Sequence, residues 1–119
     1  MTDFPKVQQV SNKYLEKIIF DADARTIELI EGLDDAQLMG PKLNIVNPTL
    51  WCIGHIAWFY EKFILRDREN RAPVLECGDT LYDSTAVAQK TRWDLNLPDL
   101  ETTIKYLSLI HISEPTRPY

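Results

Sequence analysis

Residues 47 to 63 read NPTLWCIGHIAWFYEKF, the densest aromatic stretch of the chain, and they carry one of its two histidines, His55. An imidazole among aromatic side chains can do three things. It can pack as a satisfied structural group, transfer protons, or hold a metal ion through one ring nitrogen. Cys52 lies three residues before it and would share its helix face, so a Cys/His metal pair and a small buried thiol are both open readings. One imidazole does not make a metal centre by itself: iron(II) and zinc sites need at least three protein ligands and an open position for chemistry. Glu61 follows six residues later, about 600° around a helix, which points it away from His55 and toward a structural ion pair, with an arginine as the natural partner.

The elements that must position these groups are helical. Leu15, Ile18, Ile19, Ala22, Thr26, Ile27, Leu29, Ile30 and Leu33 recur at three- and four-residue steps and predict one long helix over residues 7 to 31 with an apolar face. Gly32 is its stop signal. The string DDAQLMGP predicts a short helical turn capped by Asp34 and ended by Gly40 and Pro41. Asn47 as N-cap and Pro48 at the first helical position then open a second main helix running to about Arg66. Its apolar residues cover most of the circumference, so neighbours should enclose it. Gly54 costs about 1 kcal/mol relative to alanine in a helix, which predicts that another backbone or a ligand approaches there.

Residues 67 to 97 show no amphipathic period and read as a long connection, with Tyr82 and Trp93 pinning it to the bundle and an Asx turn at Asp83 shaping it. Pro98, Asp99 and Glu101 open a third helix whose Leu100, Ile104 and Leu107 face the core. The expected architecture is therefore all-α, with about three helices and the long loop 67–97.

Composition sets outer limits. The 119 residues suit one domain with a modest core. The formal net charge of −5 offers no field for nucleic acid or anionic lipid. No apolar run approaches the roughly 20 residues of a membrane span, and the N-terminus lacks the apolar core of a secretory signal, so the expected location is cytoplasmic. There Cys52 and Cys77 should be free thiols.

The final thirteen residues behave differently. LSLIHISEPTR, from Leu107 to Arg117, looks like the translation of a transposase-type sequencing-library adapter. On that reading residues 1–106 are a partial bundle domain and 107–119 a non-native tail. His111 is then no candidate ligand, and the natural product continues past Tyr106 with other residues. Ile110 and Ile112 can still extend the third helix.

Trp51 to Glu61, WCIGHIAWFYE, resembles the DinB-like N-terminal domain of the ergothioneine sulfoxide synthases, the EgtB family. There a tryptophan, a small residue, a histidine and a W-F-x-E run recur on the second bundle helix. GPKLNIVNPTLW (Gly40 to Trp51) and LYDSTAVAQKTRWDLNLPDLETTIKYL (Leu81 to Leu107) resemble a subgroup that includes proteins assigned as selenoneine synthases. The resemblance spans about residues 22 to 106. It implies a DinB-like four-helix bundle, truncated in this chain, and makes His55 one of three imidazoles on a mononuclear non-haem iron(II). The other two come from an H-x-x-x-H pair on a later helix, and a sulfatase-modifying-factor-like domain follows; the chain contains neither. The implied activity of the full parent is iron(II)- and oxygen-dependent joining of a thiol or selenol donor to the imidazole of hercynine, the fragment itself being inactive. The alternative is a stand-alone DinB-like module that binds metal or thiol without oxidative chemistry.

Arg92 sits where related enzymes place basic residues that grip the donor's carboxylates, a task suited to a guanidinium fork, with Lys90 a weaker candidate; its structural alternative is a surface arginine beside Trp93. The ring nitrogen of His55 that does not bind metal should donate to a carbonyl or carboxylate. No residue is assigned a catalytic role.

Overall fold

The computed structural model describes residues 11–112, with side chains described through Ile110. The proposed start of the first helix at residue 7, the imidazole of His111 and the tail beyond Ile112 lie outside the described residues.

Helix α1 spans Asn12–Ile30. Ser11 holds extended backbone and its hydroxyl accepts from the Tyr14 amide, so the helix begins after it. Only Ile30 of α1 is buried. Leu15 and Ile18 of the anticipated core face are exposed, and Leu29 is 78% exposed. Helix α2, Asp35–Met39, forms as the sequence predicts: Asp34 Oδ1 accepts from the Gln37 amide while Gln37 Oε1 accepts from the Asp34 amide. Gly40 ends it at a φ of 64°, which a side chain would resist.

Helix α3 spans Thr49–Tyr60 and is the hub, packing on α2, α4 and α5. Its cap position is Pro48 rather than Asn47. The Asn47 side chain is engaged elsewhere, accepting from Arg92 Nη1 at 2.9 Å. Enclosure is also less complete than the composition suggests. Leu50, Trp51, Ile53, Ala57 and Trp58 are buried, whereas Ile56, Phe59 and Phe63 stand at the surface.

The predicted single helix to Arg66 changes register at Glu61. Glu61–Arg66 is π-helical, with the Asp67 amide reaching Lys62 O and the Glu69 amide reaching Ile64 O. The connection 67–97 is not irregular throughout. It contains helix α4, Gly78–Tyr82, and a 3₁₀ turn, Gln89–Thr91. A five-residue helix is too short to show a period, and α4 is fixed by tertiary contacts instead. Tyr82 and Trp93 do pin this segment. Tyr82 is fully buried, and Trp93 Nε1 donates to Met39 O at 3.0 Å. Asp83 makes the anticipated Asx turn with the Thr85 amide.

Helix α5, Leu100–Ile112, opens with Asp99 Oδ1 accepting from the Thr102 amide. It runs unbroken across residue 107. Among its described side chains Thr103, Tyr106, Leu107 and Ile110 are buried, and Leu100 and Ile104 pack partly buried against the same core. The described residues form an all-α fold without strands, and none of their helices is long and apolar enough to cross a membrane.

Candidate functional site

Three ring N–H groups project from one face of α3 at positions 51, 55 and 58, the i, i+4, i+7 spacing of a helical stripe. All three are taken by α4. Trp51 Nε1 donates to Leu81 O at 2.7 Å, and Trp58 Nε1 donates to Asp79 Oδ1 at 2.7 Å. His55 Nδ1 lies 2.7 Å from Tyr82 O. A carbonyl can only accept, so the proton of a neutral His55 sits on Nδ1 and its lone pair on Nε2. That contact is the one expected of a metal-ligating imidazole's other nitrogen, and it identifies Nε2 as the nitrogen left for a ligand.

The His55 ring is held by its neighbours as well. It stacks on Trp51 with centroids 4.7 Å apart and planes within 10°, and it lies 5.9 Å from Trp58. Phe59 meets it edge-on at 6.4 Å. His55 is half-buried and lines an open groove of about 280 Å³ together with Ile56, Phe59 and Tyr60. The groove wall is mostly apolar, with the imidazole and the Tyr60 side chain as its polar members.

The close approach expected at Gly54 is made by a side chain. The Tyr82 ring lies so near that a Cβ at position 54 would overlap it. Tyr82 Oη is buried without a protein partner. The neighbouring Thr103 hydroxyl donates to Asp99 O at 2.8 Å, and its oxygen can still accept. Burial pushes the Tyr82 phenol up to about 12.

Arg92 is neither a surface residue nor an open fork. It is 7% exposed, and its guanidinium carbon sits 4.0 Å from the centre of the Trp51 ring. Nη1 donates to Asn47 Oδ1, and Nη2 donates to Ser84 O and Val87 O. Both terminal nitrogens are thus occupied by protein acceptors, and only Nε lacks one. Lys90 is exposed. Cys52 and Cys77 are free thiols; burial pushes the Cys52 thiol up while the Arg92 charge pulls it down.

Glu61 is 1% exposed. Its anticipated arginine partner is Arg66, whose Nε stands 3.9 Å from Glu61 Oε2. Closer partners dominate: the Tyr106 hydroxyl donates to Oε1, and the Val74 amide donates to Oε2 at 2.5 Å. Arg66 spends its terminal nitrogens on Asp79, at 2.5 and 3.0 Å. That contact and Trp58 lower the Asp79 carboxyl to about 2.

The residues that sequence reasoning missed are Asp79 and the carbonyls of Leu81 and Tyr82. A signal existed. Three aromatic N–H donors on one helix face need three acceptors, and the carbonyls of α3 are engaged in its own helix, so another segment must supply them.

Neutral imidazole suits iron(II). Among the described residues, however, no group of three or more His, Cys, Asp or Glu could hold a metal ion, so His55 fits such a centre as a single arm. The sequence model of one protein family, described as the DinB superfamily, matches residues 21–111. No curated protein matches the chain.

Proposed function

The chain belongs to the DinB superfamily, and from that premise we propose that His55 is one arm of an iron(II) centre in an oxygen-dependent synthase. The parent would join a thiol or selenol donor to the imidazole of hercynine, as the resemblance of Trp51–Glu61 to the ergothioneine synthases implies. One observation supports the metal role most directly: Nδ1 is tied to Tyr82 O at 2.7 Å, which leaves Nε2 as the nitrogen with a lone pair. A structural histidine can make the same contact with Nε2 toward solvent; a ligand requires it.

The metal would supply oxygen activation and binding of the donor as thiolate or selenolate. This chain's own residues do the rest of what it contributes. Tyr82 O fixes the tautomer, Trp51 and Trp58 fix the ring plane, and Phe59 and Ile56 keep the approach apolar. An apolar approach limits water and stray oxidation. Arg92 contributes through Trp51 and the 84–87 loop, and a carboxylate-gripping role for it is not part of this reading.

On this reading the remaining ligands and the second domain would be encoded beyond a junction at Leu107. Reading genomic DNA across that junction tests this. The synthase reading expects an H-x-x-x-H pair on the next helix and a long frame after it. A frame without the pair removes the reading. The family match extends no finer than the superfamily, which favours one second reading: a stand-alone DinB-like module binding metal or thiol. A frame that ends after one more metal-bearing helix would support it.

A further inference from the structure

Helix α3 carries a glycine beside its histidine, and helix α4 ends on a buried tyrosine. Gly54 leaves no room for a Cβ against the Tyr82 ring, and the same tyrosine presents its backbone carbonyl to His55 Nδ1. We propose that Gly54 and Tyr82 are positioning residues that act as a matched pair: the missing side chain admits the ring, and the seated ring places the carbonyl that sets the His55 tautomer.

The geometry leaves little slack. Tyr82 is fully buried, so its ring has one seat. The ring is close-packed in that seat, so its bulk fixes where it sits. The carbonyl one residue earlier, Leu81 O, accepts from Trp51 Nε1, which lies directly beneath His55 in the stack. A methyl at position 54 would push the ring out and carry the 81–82 backbone with it. Two acceptors would then leave two donors together.

The pair matters to function only on the reading of His55 as a metal arm, but its test needs no metal. In the ¹⁵N-histidine-labelled chain at mildly alkaline pH, long-range ¹H–¹⁵N spectra report which ring nitrogen carries the proton. The His55 signal is assigned by its loss in His55→Gln. The native chain should show a single Nδ1–H tautomer. Gly54→Ala should show a mixture of tautomers and a shifted Trp51 indole N–H resonance. Tyr82→Phe, which keeps the ring, should retain the single tautomer. If Gly54→Ala does not fold, Tyr82→Ala decides, because it adds no bulk and should also give a mixture.

A single Nδ1–H tautomer persisting in folded Gly54→Ala, or in Tyr82→Ala, overturns the proposal. So does loss of the single tautomer in Tyr82→Phe. None of these outcomes bears on whether His55 binds iron, and an iron site indifferent to His55 would leave the pairing of Gly54 with Tyr82 intact.

Discussion

His55 Nδ1 and the carbonyl oxygen of Tyr82 stand 2.7 Å apart, joining the middle of α3 to the last residue of α4. With Trp51 to Leu81 and Trp58 to Asp79, that contact makes α4 a five-residue clip over one stripe of α3. The imidazole is therefore oriented before any ligand arrives, and orientation paid for during folding is not charged again on binding.

Arg92 is a buried strut. Its fork bridges the start of α3, through Asn47, to the 84–87 loop. Arg92→Lys cannot span both, so it should lower stability by roughly 1–3 kcal/mol, measured by urea denaturation. An unchanged midpoint would mean that the fork is free for another task.

Asp79 gives the pH dependence on the acid side. Its carboxyl falls from 3.8 to about 2 in the folded chain. A depressed folded value means that its contribution is complete above pH 3.8 and is lost as pH falls toward 2. The carboxylate is half-exposed, so solvent screening keeps the effect below about 1 kcal/mol. The stability gap between the native chain and Asp79→Asn should narrow over that window in thermal melts.

Tyr106 and Tyr82 act on the alkaline side. Burial first, and then the Glu61 carboxylate, push the Tyr106 phenol far up, and burial takes Tyr82 from 10.0 to about 12. Raised folded values mean that their contribution is complete below pH 10.0 and is lost as pH rises. Part of the phenolate absorbance should develop only together with loss of far-ultraviolet ellipticity. Tyr106→Phe should soften the alkaline loss while costing about 1–2 kcal/mol at neutral pH, since Glu61 loses a buried donor.

With one arm of a site, the 119-residue chain should bind iron(II) no more tightly than its His55→Ala variant in anaerobic calorimetry. Stoichiometric binding that disappears in the variant would show that a complete site exists in this chain.

Much of the fold was legible because its signals are local. Asp34 with Gln37, Asp99 ahead of α5, and the dense apolar run of α3 are visible without tertiary information. Gly54 also announced a close neighbour, though not that a phenol would be that neighbour. What stayed hidden depends on distant partners. The α4 segment has too few residues for a period and is held by α3 donors. The π-helical register from Glu61 leaves no spacing signature and follows from burial of Glu61 against Tyr106 and Val74. The period of α1 misled for the opposite reason: its apolar residues recur as a core face should, yet Leu15, Ile18 and Leu29 face solvent. At the site, the sequence singled out His55 and the need for a second partner on its ring. Which nitrogen remains for a ligand required the position of Tyr82 O.

The account stands or falls on the Nε2 lone pair of His55. The direct measurement is iron content and turnover of the proposed full-length synthase, compared with its His55→Gln variant at matched far-ultraviolet ellipticity. Loss of both in the variant, with the fold retained, is the predicted result. Full iron occupancy and undiminished turnover in that variant would contradict the claim.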